Sequence, residues 1–251
     1  MDPFGTSRSR VAVDHALICP DSFVSAPLAG WRGTKGVVLV SPRMGARFAM
    51  YLATLEPGGR SAPAAREIER VAYVLEGNVS VALAAHDPTP LAPGGFAYLA
   101  PDSGTTIRSD GPARLCVFER RYVPLAGVAR PSSFAGSERD APGEPFLGDP
   151  DARLRVLLPD EPGFDLAVNV FTYQPGATLP MVEVHVMEHG LLMLEGQGVY
   201  RLGDAWYSVR EGDAIWMAPY CPQWFVAMGK EPARYLYYKD VNRDPLAAEG
   251  G

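Results

Sequence analysis

Cysteine is scarce in this chain, and what there is does not pair. Cys19, Cys116 and Cys221 are odd in number and show no C-x-x-C spacing. A disulfide framework or a zinc ribbon is therefore not expected; reduced thiols in a cytoplasm are. Long apolar runs are missing as well. No stretch of about eighteen residues is apolar enough to span a bilayer. The opening MDPFGTSRSRVAVDHALICP, whose first residues read as disordered, holds no apolar core long enough for a secretory signal. Positive charge is never concentrated: 23 Lys and Arg stand against 29 Asp and Glu, a net charge of −6. That balance argues against nucleic acid or an anionic membrane as a partner. Histidine is rare too, with four in the chain, His15, His86, His185 and His189.

Glycine and proline are abundant. The 26 Gly and 24 Pro fall between short apolar runs, the pattern of a turn-rich β protein rather than a helical one. The 251 residues are enough for one large core or two smaller ones. Duplication favours two. LEPGGRSAPAAREIERVAYVLEGNVSVAL (Leu55 to Leu83) resembles YQPGATLPMVEVHVMEHGLLMLEGQGVYRL (Tyr173 to Leu202). Each copy reaches a second shared phrase, PGGFAYLAP ending at Pro101 and REGDAIWMAP ending at Pro219. Repetition of both order and spacing marks a duplicated unit. In the second copy, strands are expected over 165–173, 182–186, 191–194, 198–202, 214–217 and 234–239, with turns at Pro175-Gly176, Glu195-Gly196 and Gly212-Asp213. Many short strands imply a sandwich or small barrel. The organisation expected is an N-terminal segment (1–36), a first barrel (37–124), a Pro/Gly/Ser/Asp-rich linker (125–153) and a second barrel (154–251).

The chemistry concentrates in EVHVMEHG. On an extended strand Glu183 and His185 point to one face, because side chains alternate with period two. A tight turn through Met187 and Glu188 would let His189 open the next strand facing the same cavity. Two imidazoles and a carboxylate then converge, a costly arrangement in a barrel interior unless something pairs them. Cys221 stands two residues from Gln223. It is read as a small filler near the site rather than a nucleophile. His15 and His86 fall in no motif and are expected to be ordinary surface residues.

These residues resemble the cupin superfamily, whose first motif runs G-x5-H-x-H-x3-4-E-x6-G. Glu183, His185, His189 and Gly196 reproduce its spacing with the first and third ligand types exchanged, and the gap from Gly176 to Glu183 is one residue longer. The second motif places a His eleven residues after a Gly; here the residue eleven after Gly212 is Gln223, whose carbonyl oxygen can ligate. The resemblance implies an all-β fold of two tandem cupin (jelly-roll) barrels, the second binding a divalent metal through Glu183, His185, His189 and Gln223. Mn²⁺ fits this hard-to-borderline set best, with Fe²⁺, Ni²⁺ and Zn²⁺ also compatible. Four protein ligands leave open positions on an octahedral ion. The first copy offers Arg66, Glu67, Glu69 and Arg70 instead, and Thr105 stands eleven after Gly94. That barrel is expected to be metal-free and to serve packing or homo-oligomer assembly.

A closer resemblance, from Val37 to Leu246, is to the (S)-ureidoglycine aminohydrolase family of purine (allantoin) catabolism. It rests on EVHVMEHG, LEGQGVY, the Gln at the second-motif position, YLYYKDVNRDPL and ERRYVPLAG. It implies a Mn²⁺ enzyme that releases ammonia from (S)-ureidoglycine to give (S)-ureidoglycolate. Tyr200, Tyr235 and Lys239 would be substrate contacts, with Lys239 meeting the carboxylate of a small ureido compound. Glu183 is the candidate for proton exchange. Glu188 is a rival, expected to be exposed. Val184 and Met187 depart from what that turn should hold. Another metal-dependent cupin enzyme (isomerase or dioxygenase) and a non-enzymatic ligand-binding bicupin remain open.

Overall fold

The computed structural model describes residues 6–83 and 87–244; His86 and the disordered start expected for the chain lie outside that range. Among the described residues the regular elements are β-strands and three one-turn 3-10 helices, and no helix is long and apolar enough to cross a membrane. The chain divides into two compact units, one of Val24–Pro142 with Leu157–Ala167, the other of the residues up to Phe23 with Gly143–Val156 and Val168 onward.

Glycine sets the same corner in each unit. Gly77 and Gly196 both adopt positive φ, +73° and +72°, immediately after the Glu that closes a long strand. A Cβ at Gly77 would stand 2.1 Å from the Pro112 carbonyl oxygen, and one at Gly196 would stand 2.3 Å from that of Pro232. Only glycine permits both the backbone angle and the close approach. The repeat seen in the sequence is thus a repeat of a steric requirement.

In the second unit an eight-stranded sheet runs Arg10–Val11, His15–Ile18, Ala214–Met217, His189–Glu195, Ala233–Asp240, Leu166–Tyr173, Asp149–Val156, Gly143–Phe146. A three-stranded sheet runs Ala205–Arg210, Gln197–Leu202, Gln223–Ala227. Their apolar faces share a core that includes Leu17, Phe171, Tyr173, Met193, Leu202 and Phe225. Aromatic side chains fill it: Tyr173 meets Phe225 edge-on at 5.1 Å and Phe171 lies 5.5 Å from Tyr235. Burying a ring such as Phe225, which has no exposed area, stabilises by ~2–3 kcal/mol.

The strands expected at 191–194, 198–202 and 234–239 are longer by one to three residues, His189–Glu195, Gln197–Leu202 and Ala233–Asp240. Ala205–Arg210 and Gln223–Ala227 are additional. The strand expected at 182–186 does not form: there is a single bridge between Glu183 and Gln223, and Met181, Val182 and Val184 are exposed. Alternating apolar residues suggest a buried face, but with Pro180 at the start the segment is an extended loop, held beyond that bridge by Tyr220 N donating to His185 O at 2.8 Å.

Two stretches read as peripheral are built into sheets. His15–Ile18 pairs with Ala214–Met217, and Arg8 holds buried Asp213 at 2.6 Å. The stretch expected to be a linker carries Phe134–Ser137, Gly143–Phe146 and most of Asp149–Val156. Its Pro and Gly suit edge strands, which tolerate a missing N–H; Pro145 lies in the outermost strand.

The first unit's ten-stranded sheet wraps around Tyr51, Leu55, Val74, Val81, Leu99 and Leu115, among others. On the sheet's other face, buried Tyr98 donates to buried Glu69 at 2.8 Å. Burial, and then Asp165, pushes the Glu69 carboxyl up to about 9.

Candidate metal centre and substrate pocket

Strand register brings the site together. His189 sits opposite Lys239, Leu191 opposite Tyr237 and Met193 opposite Tyr235, so alternation places Tyr235, Tyr237 and Lys239 on the face that His189 shares. From the facing sheet, Leu202 pairs with Gln223 and Tyr200 with Phe225. The loop bearing Glu183 is tied to that sheet by two backbone hydrogen bonds, Glu183 N to Gln223 O at 2.8 Å and Gln223 N to Glu183 O at 3.0 Å.

The four expected ligand residues meet. His189 Nε2 lies 3.2 Å from His185 Nε2, Gln223 Nε2 lies 2.9 Å from His185 Nε2, and a Glu183 oxygen lies 3.9 Å from the same nitrogen. His185 Nδ1 is 3.1 Å from the Met187 carbonyl oxygen. A carbonyl only accepts, so Nδ1 carries the proton and Nε2 turns its lone pair to the centre. Burial, then the nearby His185 and Lys239, lowers the His189 pKa well below its ordinary value, so its imidazole is neutral. Burial raises the Glu183 carboxyl while His185 and Lys239 oppose the rise.

This donor set fits a divalent cation. Neighbouring ligands bonded at about 2.1 Å around an ion sit ~3 Å apart, close to the 3.2 Å between the two imidazole nitrogens. The Gln223 amide needs only a half-turn, which exchanges nearly indistinguishable nitrogen and oxygen, to aim its oxygen inward. Glu183 is set back and a quarter exposed, free to swing in.

A cavity of about 180 Å³ opens on these groups, lined also by Phe171, Leu179, Leu191, Tyr200, Tyr235, Tyr237 and Lys239. It falls below the roughly 300–1,000 Å³ of drug-sized ligand sites, so it suits a small metabolite. Tyr200, Tyr235 and Lys239, the substrate contacts the family resemblance implies, all line it. Tyr237 and Asn169 were not anticipated: Asn169 donates to the Tyr237 hydroxyl at 2.9 Å, and the Tyr173 and Tyr235 hydroxyls lie 3.1 Å apart. Tyr237 was legible as the middle member of Tyr235-x-Tyr237-x-Lys239. Burial pushes its hydroxyl up to about 12 and keeps it protonated.

Two expectations are corrected. Glu188 is fully buried, not exposed. Its carboxylate accepts from Trp216 Nε1 at 2.7 Å and its backbone N–H donates to Asp240 at 2.5 Å. It does not line the cavity; it braces the turn that delivers His189. His15 is not a surface residue but is 96% buried, between Asp14 at 2.8 Å and the Tyr207 hydroxyl at 2.8 Å. Its strand covers the sheet edge at Ala214–Met217, which no local pattern announces. Lys239, weighed in sequence terms against surface pairing with an aspartate, is half-buried on the cavity wall.

Cys221 is buried, and burial followed by Asp14 pushes its thiol up to about 11. A nucleophile needs the thiolate, so this raised thiol does not support the nucleophile reading. In the first unit, Arg70 precedes Glu76-Gly77 by the six residues that separate His189 from Glu195-Gly196. Its guanidinium donates to Glu119 at 2.6 Å and Ala62 O at 2.7 Å and lies over Trp31 at 5.2 Å. A built-in cation, paired with the residue opposite it, stands where the second unit has a histidine.

The chain is similar to known proteins over nearly its whole length. A family model described as a cupin domain matches residues 169–238. A protein of Oryza sativa subsp. japonica named probable (S)-ureidoglycine aminohydrolase is 44% identical over 247 residues, covering 96% of this chain and 78% of its own. The (S)-ureidoglycine aminohydrolase of Escherichia coli K12 is 35% identical over 244 residues, covering 94% and 93%. Among solved structures, the crystal structure of E. coli protein Ylba superposes with a TM-score of 0.83 at 32% identity, covering 95% of this chain and 96% of that one. A mutant of Bacillus subtilis oxalate decarboxylase OxdC superposes at 0.71 with 10% identity over 94% of this chain and 80% of that one, a likeness of fold alone.

Proposed function

The chain belongs to the (S)-ureidoglycine aminohydrolase family, and on that premise we propose that it releases ammonia from (S)-ureidoglycine with the help of a Mn²⁺ ion held by Glu183, His185, His189 and Gln223, as a step of purine breakdown. The observation that carries the site is the convergence of His185, His189 and Gln223 within 3.2 Å contacts at the floor of a small cavity walled by Lys239 and three tyrosines. The identity of the relatives, 35–44% over nearly the whole chain, favours this over the isomerase, dioxygenase and non-enzymatic readings.

The substrate carries an amine, a ureido nitrogen and a carboxylate on one carbon. In the net reaction the bond from that carbon to the amine breaks, a bond to a water oxygen forms, and a proton passes from the water to the departing ammonia. Lys239 supplies a point charge for the carboxylate, which orients the carbon above the ligand set. The Tyr200 and Tyr235 hydroxyls, kept protonated by burial, donate to the ureido oxygen or accept from its N–H groups. Glu183, which faces the same cavity, is the candidate for proton exchange between the water and the departing amine. The ion, when bound, supplies a positive centre that polarises substrate oxygen or nitrogen. Leu179, Leu191 and Phe171 give the cavity an apolar wall, which lowers the local dielectric and strengthens each of these interactions.

The test is ammonia release from freshly generated (S)-ureidoglycine by the metal-free and Mn²⁺-loaded protein. Release well above the spontaneous rate, dependent on metal and lost in His185→Ala, is expected. Metal uptake without acceleration would overturn the reaction while leaving the ligand set; full turnover by a metal-loaded Glu183→Gln would remove Glu183 from proton transfer.

A further inference from the structure

Away from this cavity, and in the same unit, three side chains of quite different chemistry converge. One ligand atom each from Asp14, His15 and Cys221 lie within 4.8 Å of one another. His15 and Cys221 are each 4% exposed, while the Asp14 side chain is 40% exposed and opens the cluster to solvent. None of the three lines the candidate active site.

We propose that Asp14, His15 and Cys221 form a second metal site, selective for a borderline, thiol-accepting divalent cation of the Zn²⁺ class. Zinc bonds of about 2.0–2.3 Å place tetrahedral ligand atoms ~3.5 Å apart, so a pair at the 4.8 Å limit would close by about 1.3 Å while Nδ1 and Asp14 Oδ1, now 2.8 Å apart, would open by about 0.7 Å. An imidazole, a carboxylate and a thiolate with water in the fourth position is a set such ions accept, whereas Mn²⁺ prefers oxygen and imidazole without sulfur.

A second feature points the same way. The Asp14 carboxylate only accepts, so without an ion His15 Nδ1–H donates to Asp14 Oδ1 at 2.8 Å while Nε2 meets the Tyr207 hydroxyl at 2.8 Å; an ion between Nδ1 and Asp14 would take the place of that proton. A metal-binding histidine commonly donates its other N–H to a fixed acceptor, which sets the tautomer and the ring plane. Tyr207 is that acceptor: with Nδ1 on the ion, Nε2–H donates to its oxygen. On binding, the Cys221 thiol gives its proton to solvent and the sulfur's freed pair bonds the ion.

The consequence is a staple. Asp14 and His15 border and open an N-terminal strand, His15–Ile18, and the Asp14 carbonyl accepts from Ala218 N at 2.8 Å. Cys221 lies on the segment leading to Gln223, and Pro222 O accepts from Gly203 N at 2.8 Å. An ion joining the two would fix the N-terminal strand to the segment that aims Gln223.

The test titrates Co²⁺ into the full-length, reduced protein without oxygen and follows sulfur-to-cobalt charge-transfer absorption. The Glu183, His185, His189 and Gln223 set has no sulfur, so cobalt bound there is silent in that band, and failure of one site is not confused with failure of the other. A band is expected in the wild type and in Cys19→Ser, lost in Cys221→Ser, weakened in Asp14→Asn and abolished by excess Zn²⁺. Absence of the band in the wild type, or its persistence in Cys221→Ser, would overturn the proposal. Asp14→Asn, altered at a partly exposed side chain, keeps the test valid should the cysteine variant misfold.

Discussion

Replacing Lys239 by methionine removes a charge while keeping most of the stem, and it probes the substrate side of the site without touching a proposed ligand. The ammonium neighbours both Glu183 and His189 strongly enough to shift each, and register sets it opposite His189. A substrate carboxylate about 4 Å away would interact with it by ~4 kcal/mol at an effective dielectric near 20. Desolvation removes part of that, leaving the ~1.5–3 kcal/mol of a charge-assisted hydrogen bond. At about 1.4 kcal/mol per tenfold, kcat/KM for (S)-ureidoglycine should fall by roughly 10- to 150-fold. Lys239 also opposes the burial that raises Glu183; without it that carboxyl rises further and binds metal less readily. Activity is therefore measured as ammonia release at saturating Mn²⁺, with bound metal quantified in the same samples. Most of the loss should appear in KM. A metal-replete Lys239→Met whose kcat/KM stays within about threefold of wild type would refute the role of Lys239 in holding the substrate.

Two further outcomes follow from the scaffold. Gly196→Ala and Gly77→Ala should each cost at least ~2 kcal/mol in urea unfolding, combining the left-handed penalty of ~1–2 kcal/mol with a clash against the Pro232 or Pro112 carbonyl. Gly176→Ala, at φ +87° with nothing within 4 Å, should cost the first part alone, and equal losses at all three would refute the steric account. Glu69 makes stability depend on pH: unfolded, it loses its proton near 4.3, whereas folded it keeps it until about 9. The folded state binds more protons across that window, so stability falls as pH rises, by up to ~1.4 kcal/mol per pH unit, and levels off above the folded pKa. Glu69→Gln, which can still accept from Tyr98, should show a smaller drop in urea midpoint between about pH 6 and pH 8, and an unchanged drop would remove Glu69 as its source.

By itself the sequence determined what rests on local chemistry and spacing. The turn glycines Gly77 and Gly196, the repeated unit they close, and the alternation that puts Tyr235 with Lys239 are all properties of neighbours along the chain. Gln223 was legible because its distance from Gly212 is set by one strand and one turn. Only the tertiary structure decided what depends on contacts across the chain. His15 is buried because a sheet edge some two hundred residues away needs a partner strand, and Asp14 thereby reaches Cys221. Glu188 is buried because Trp216 and Asp240 converge on a turn that, taken alone, is polar and should face water. Glu183 reaches the site from a bridged loop rather than a strand, since a single pairing with Gln223 sets its direction where a ladder was expected. Arg70 meets Glu119 because paired strands bring them face to face. Local spacing determines which way a side chain points from its own strand; which other strand it then meets is decided by burial and backbone pairing over the whole fold.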